Sequence, residues 1–334
     1  MTRIAGSRLA FLLLAAGSCA FAADPVLLNL AMPDARVLAG LNATSAKISP
    51  LGQFILSQVP GADAHFQAVV TLTGFDPSQD VAEVLAASAG DPANPAGLLL
   101  VRGTFEPNSI IAALTGKPNV TIETRDGNPL ITVSSPKQKL PRGIAFIGTS
   151  LAITGDLASV TAALDRSKSS NSIDPALAVQ VNTLSTSNDA WFVSAAPASA
   201  FVPAKAAAAT GPAAAVLGLL KSIQSSSGGI KLGSNVQFSA EAVASDAPSA
   251  GSLVAVVQLL KALAGSSAQL QNALPLIQAI QATTSGNAMD LALTVPESQL
   301  ESLLTSLKPQ AKTAQTTPQS RPRRRRTPTP GQQN

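Results

Sequence analysis

Few residues of this chain have a type and spacing that could perform catalytic chemistry. His65 is the only histidine, which excludes a metal site built from several histidines and limits a Ser-His-Asp triad to that one residue. No Gly-x-Ser-x-Gly motif accompanies it. His65 also comes just before a predicted strand, a position typical of an ordinary surface histidine.

Two other groups resemble catalytic motifs. Ser134 and Lys137 match Ser-x-x-Lys, but that chemistry places the pair one turn apart on a helix, and Pro136 indicates a loop here. Asp76, Asp80 and Glu83 cluster at a predicted helix start, where carboxylates commonly cap free N–H groups. The chain has no glycine-rich phosphate-binding loop. We therefore predict no enzyme, with no catalytic, metal or cofactor residues and no cofactor.

The N-terminus has the pattern of an export signal. Arg3 and Arg8 precede the apolar run 9–16, and Ala20-Phe21-Ala22 matches a small-x-small cleavage site. We predict a signal peptide over residues 1–22 and a periplasmic or extracellular location. Residues 16–19 also resemble a bacterial lipobox, which makes Cys19 the alternative start, as a lipid-anchored residue. No later segment reaches the roughly 18 uninterrupted apolar residues of a membrane span.

The C-terminal residues 309–334 are rich in Pro, Thr, Gln and Arg, a composition that predicts disorder. Five guanidinium groups fall within six residues, at Arg321, Arg323, Arg324, Arg325 and Arg326. The two ends together carry a charge of +8, so residues 23–310 carry −4 although the whole chain carries +4. The basic character lies in the ends, which argues against a specific nucleic-acid-binding domain. The arginine run is either a solubilising tail or an anchor to an anionic envelope surface.

The elements that would position any site follow a repeated pattern. An apolar run, a polar or proline-marked corner and a helical period occur in order, and we predict strand 69–75 before helix 81–85. Strand 97–105 precedes helix 109–114. The apolar run 144–154, in which Gly148-Thr149-Ser150 predicts a second hairpin turn, precedes helix 157–164. Asp126-Gly127-Asn128 predicts a hairpin between 120–125 and 129–133. The expected class is α+β, with a mixed, largely antiparallel sheet or sheets and helices packed on one face.

The pattern starts again after a polar boundary near residue 167. Residues 189–197 are similar to 34–42, residues 236–246 to 66–76, and residues 287–295 with their following helix to 97–114. These similarities predict two α+β halves, 23–166 and 167–308, related by an internal duplication.

The strand–helix units closing on Ala162-Ala163-Leu164-Asp165-Arg166 resemble exported bacterial proteins of unknown function. The resemblance covers about residues 66–166 and more faintly 236–307, and it implies an α+β fold and export. It carries no catalytic or ligand residues.

Function is predicted only by class. Aromatic residues make up 3% of the chain and Tyr is absent, which argues against an extended stacking surface. We expect an exported, non-enzymatic envelope protein that acts as a scaffold or binding module. The alternative is a carrier of an apolar small molecule or lipid between the helix layer and the sheet, because an interior of small side chains can leave a cavity.

Overall fold

The computed structural model describes residues 23–58, 70–91, 96–136, 140–171, 173–202, 212–266 and 268–306. The predicted signal peptide with Cys19, His65, Lys137 and the arginine-rich tail lie outside these residues. Their predictions are therefore neither supported nor contradicted by the fold.

Twelve strands in the described residues form a single sheet, and every pairing among them is antiparallel. In chain order the strands are β1 (Val37–Asn42), β2 (Val81–Ser88), β3 (Gly97–Gly103), β4 (Val120–Arg125), β5 (Asn128–Val133), β6 (Arg142–Ile147), β7 (Leu151–Asp156), β8 (Ala190–Ser194), β9 (Ile223–Lys231), β10 (Asn235–Ala244), β11 (Gln281–Ser285) and β12 (Ala288–Pro296). Their order across the sheet is β11-β12-β10-β9-β8-β1-β2-β3-β7-β6-β5-β4.

Helices connect and flank these strands. They are α1 (Pro25–Leu30), α2 (Ala43–Ile48), α3 (Pro50–Gln58), α4 (Pro77–Asp80), α5 (Pro107–Leu114), α6 (Leu157–Arg166), α7 (Pro175–Ser187), α8 (Pro212–Ser222), α9 (Ala247–Ser266), α10 (Leu274–Ala279) and α11 (Glu297–Ser306). Short 3₁₀ turns occur at Ala198–Phe201 and Ala268–Ala273. Residues 70–73 are also helical.

One face of the first-half strands and of the neighbouring β8 is buried under α1, α6 and α7. Leu27, Val160 and Val181 from these helices pack in one cluster with strand residues such as Leu38 and Leu100. The helices begin at capping residues, as at Asp156, whose carboxylate accepts a hydrogen bond from Ser159 N at 2.9 Å.

Trp191, the only tryptophan of the sequence, completes this core from β8. It lies opposite Gly40 of β1, where any Cβ would overlap the indole ring. The glycine therefore allows the two central strands to pair beneath a large aromatic side chain.

The opposite face carries two further apolar clusters. Phe105, Ile131 and Phe146 pack under α5 in the first half, while Ala250 and Leu253 of α9 pack on Ala242 and Met289 in the second. The α+β class with an antiparallel sheet is confirmed. Helices lie on both faces of the first-half strands, because the continuous apolar run 98–101 gives β3 apolar side chains on both sides.

One predicted strand–helix unit is wrong. Residues 70–73 are helical, α4 is a single turn, and the predicted helix 81–85 belongs to β2. Pro77 and the capping carboxylate of Asp76 form the short turn. Leu85 and Ala87 then alternate into the core, which favours a strand over the helical period. The strands and helices predicted over 97–114 and around 151–164 are observed.

The two halves follow the same order of elements. Outward from the centre, β1-β2-β3-β7-β6 corresponds to β8-β9-β10-β12-β11, and the β4–β5 hairpin is extra in the first half. The sequence similarity instead matched β3 with β12. Counted outward from the centre of the sheet, β3 is the third strand of its half and β12 is the fourth, so this strand match is wrong. Duplication as the origin of the halves stays a prediction.

Among the described residues, α9 has the length and composition of a helix that could cross a membrane. Its mean hydropathy reaches 1.4 in an 18-residue window, of which 17% is buried in the fold.

Candidate ligand-binding cleft

An apolar cleft lies between α5 and the sheet, on the face opposite α1, α6 and α7. Its volume is about 540 Å³. The cleft is formed by four neighbouring strands, β2, β3, β7 and β6, and by the chain before β2 and after β3. The described lining residues are Leu72, Thr73, Phe75, Pro77, Val81, Val84, Leu99, Val101, Phe105, Ile110, Ala113, Leu114, Ile144, Phe146, Ala152, Ile153 and Thr154.

Three aromatic rings form one wall of this cleft. The rings of Phe75 and Phe105 stack with centroids 5.3 Å apart, and the rings of Phe105 and Phe146 are tilted with centroids 5.7 Å apart. Phe105 and Phe146 are each only 3% exposed. Offset and tilted aromatic pairs gain energy beyond simple burial, so this wall is the rigid part of the cleft.

Backbone hydrogen bonds hold Phe105 in place just beyond the end of β3. Phe105 N donates to Thr149 O at 2.8 Å, and Thr104 N donates to Asp80 O at 2.9 Å. A Cβ at Gly103 would overlap the same Asp80 carbonyl, so glycine is needed for the close approach.

The acidic residues predicted to cap a helix have structural roles near this wall. Asp76 Oδ1 accepts from Ser78 N at 2.9 Å and caps α4, and Asp80 Oδ2 accepts from Asp76 N at 2.7 Å. Glu83 faces away from them, on the α1 side of β2. The three carboxylates therefore form no single site.

The lining defines the chemistry that the cleft can support. Only Thr73 and Thr154 contribute hydroxyl groups, and the described lining contains no titratable side chain. A cleft of this size and polarity falls within the range of sites that bind apolar small molecules.

Two other apolar clefts occur on the same face. One, of about 470 Å³, lies over the second-half strands beside Phe192 and Phe238, and its lining includes no helix residue. Phe192 is 40% exposed there. Another, of about 450 Å³, lies between α2, α3 and the start of β2. The first cleft is also lined by the buried Trp191, but the ring–ring contacts of the described residues all lie in the wall formed by Phe75, Phe105 and Phe146, so the cleft beneath α5 is the stronger candidate.

A polar cluster on the opposite face connects the start of the described chain to the sheet. Asp24 forms an ion pair with Arg102, and Asp24 N donates to Glu83 Oε1 at 3.0 Å. Ala23 N donates to the buried Ser185 Oγ at 2.9 Å. Burial raises the pKa of the Glu83 carboxyl, and this outweighs the hydrogen bond from Asp24 N and the nearby Arg102 guanidinium, which lower it. The cluster anchors α1, and among the described residues the buried Arg102 Nε has an ion-pair contact but no hydrogen-bond partner.

Of the catalytic patterns considered from the sequence, only the group Asp76, Asp80 and Glu83 lies wholly within the described residues, and it forms no single site. Ser134 lies in the irregular segment after β5, its backbone N bonded to Asn119 O at 2.9 Å, and its partner Lys137 lies outside the described residues. Within the described ranges, no group of three His, Cys, Asp or Glu side chains could hold a metal ion.

Sequence reasoning suggested a cavity between helices and sheet but missed the residues that form it. The available signal was the uninterrupted run Leu98-Leu99-Leu100-Val101, which indicates a strand covered on both faces. The pairing of β3 with β7, which brings Phe146 near Phe105, has no local sequence signal.

Comparison with known proteins gives structural similarity only. No family model matches the sequence, and no curated protein matches it. Crystal form IV of TP0453 has a TM-score of 0.49 at 8% identity, covering 83% of this chain and 96% of that one. Crystal form I of TP0453 has a TM-score of 0.48 at 10% identity, covering 85% and 97%. At these values we infer nothing about function from the similarity.

Proposed function

We propose that this chain is a non-enzymatic binding protein whose ligand inserts an apolar chain into the cleft beneath α5. The observation that carries the proposal is the cleft itself, about 540 Å³ in volume and lined by apolar side chains and two threonines. This favours the carrier function among the alternatives from sequence, since no comparable observation supports a scaffold role.

The energetics of such a site depend on chain length. Each methylene moved from water into an apolar site contributes about 0.8 kcal/mol. The rigid aromatic wall at Phe105 and Phe146 reduces the cost of ordering the site when a ligand enters. Affinity should therefore rise steadily with the number of carbons until the cleft is filled.

Titration of the full chain with linear alkanols of increasing length tests this function. Calorimetry below the aqueous solubility limit of each alkanol should show an affinity gain of about three- to fourfold for each added carbon. An absence of binding, or affinities that do not change with chain length, would contradict the proposal.

The proposed place of action is the bacterial envelope. This rests on the signal-like residues 1–22 and on the run Arg321 to Arg326, all outside the described residues. N-terminal analysis of protein from the native host should find a start at Ala23, or at a lipidated Cys19. Retention of Met1 on the folded protein would contradict export by either route.

A further inference from the structure

The apolar cleft adjoins a second cleft that contains a positive charge. This neighbouring cleft also measures about 540 Å³, and Leu99 and Thr154 line both cavities. Its other walls include Arg142 at the start of β6 and the Asp156 carboxylate at the end of β7. An apolar site and a guanidinium group therefore lie on the two sides of one residue pair.

Arg142 has a free charge in the part of the chain that the structure describes. Its side chain is exposed, and no carboxylate there lies within ion-pair distance. Among the described residues, four basic side chains form ion pairs, and none of them lines this cleft. They are Arg102, Arg125, Lys168 and Lys231.

Asp156, the acidic residue paired with Arg142 in the sheet, already accepts hydrogen bonds from backbone N–H groups. It lies opposite Arg142 in the β6–β7 register, but its Oδ1 accepts from Ser159 N at 2.9 Å and its Oδ2 accepts from Gly97 N at 3.2 Å. Burial raises the pKa of this carboxyl, but the hydrogen bonds from Ser159 and Gly97 together outweigh it and leave the pKa below its usual value. Asp156 is thus a cap for α6, and Arg142 remains available to another anion.

We propose that the ligand is a single-chain amphiphile with a carboxylate or phosphate-ester head, whose chain enters the cleft beneath α5 and whose head binds Arg142. The inference rests on the proposed function. A guanidinium group suits such heads because it can donate two parallel hydrogen bonds to their oxygens. The Leu99–Thr154 pair marks the passage between the chain site and the head site.

The test compares ligands of equal chain length that differ only in the head. Dodecanoate, dodecyl phosphate and dodecanol are titrated calorimetrically into the full chain and into Arg142→Gln, Arg142→Lys and Lys221→Gln. The last variant removes one exposed positive charge from α8, in the other half of the fold. Acetate and inorganic phosphate, titrated alone, report whether the head binds without a chain.

The native chain should bind both anionic ligands about fivefold more tightly than dodecanol at low salt, since an exposed charge pair contributes about 1 kcal/mol. Arg142→Gln should remove that preference without changing dodecanol affinity, Arg142→Lys should keep part of it, and Lys221→Gln should keep all of it. Acetate and inorganic phosphate should bind too weakly to measure.

Two results would overturn the inference while leaving the apolar function intact. These are equal affinities for anionic and neutral ligands in the native chain, or an equal loss for both in Arg142→Gln. Binding of acetate or phosphate as tight as that of the long-chain ligands would show an anion site independent of the cleft. If none of the three long-chain ligands binds, the proposed function itself is wrong.

Discussion

Leu99 on β3 lies directly opposite Thr154 on β7, and this pair lines both the apolar cleft and the cleft that contains Arg142. Leu99 is 39% exposed although it lies inside the sheet. Removal of this surface from water would be favourable, at about 25 cal/mol per Å². A ligand that covers Leu99 and Thr154 would bury the part of the Leu99 side chain that α5 leaves exposed.

Helix α5 offers a matched pair of positions for blocking the cleft. Ala113 lines it, whereas the adjacent Ala112 is exposed and does not. Ala113→Phe should fill the space and lower alkanol affinity by at least tenfold, because the ring would occupy the volume of the ligand. Ala112→Phe should bind as the native chain does. Equal binding by the two variants in calorimetry would place the ligand elsewhere.

The aromatic wall should contribute strongly to stability. Phe105→Ala should lower the free energy of unfolding by about 3–5 kcal/mol, since it removes a buried ring and leaves a cavity. Phe201→Ala, at a ring that is 53% exposed, makes the same chemical change with an expected cost below about 0.5 kcal/mol. Urea unfolding compares the two. Similar costs would show that Phe105 is not part of a packed core.

Glu83 should make stability depend on pH. Its pKa in the fold lies above the ordinary 4.5, mainly because of burial, with Asp24 and Arg102 as the charged groups that face it. The folded chain therefore binds this proton more readily than the unfolded chain, and the group destabilises the fold once pH rises through its folded pKa. Below pH 4.5 both the folded and the unfolded chain hold the proton, so this loss of stability is absent.

Replacing Glu83 with Gln keeps a hydrogen-bond acceptor for Asp24 N and removes the buried charge. Glu83→Gln should unfold at higher urea than the native chain near pH 7.5, and the difference should shrink near pH 4. Glu123→Gln, at an exposed position of β4, controls for the change in net charge. A native-to-Gln difference of the same size at both pH values would contradict this account of Glu83.

The arginine run is expected to add an electrostatic contact with anionic surfaces. Each basic residue near an anionic membrane contributes about 1 kcal/mol, and salt screens it. The full chain should sediment with anionic vesicles at low salt, while a chain ending at Gln310 should not. Equal sedimentation of both, or binding that salt does not weaken, would rule out the anchor.

Local sequence was sufficient to predict a strand or helix where the turn beside it has a clear residue signature. Asp126 and Gly127 have φ of 54° and 80°, the left-handed backbone that the Asp-Gly pair predicted, and the β4–β5 hairpin follows. The corner at Glu106 and Pro107 likewise ends a strand and starts α5. Sequence failed at 81–85, because Val81, Val84 and Leu85 fit either a helical or a strand period until the neighbouring strands decide.

The cleft could not be predicted residue by residue. Phe146 on β6 reaches Phe105 only because β7 inserts beside β3 and leaves β4 and β5 at the sheet edge. That order follows from packing of the whole chain rather than from any short pattern. Arg142 was not singled out from the sequence, and only its position at the start of β6 places it beside the cleft.

Photo-crosslinking tests the central claim most directly. The full chain is irradiated with a dodecanoate that carries a diazirine in its alkyl chain, and the adducts are mapped by mass spectrometry. We predict adducts on α5 and on β3 and β7 around Leu99 and Thr154, and their loss in Ala113→Phe but not in Ala112→Phe. Adducts concentrated instead around Phe192 and Phe238, or unchanged by Ala113→Phe, would contradict a ligand site beneath α5.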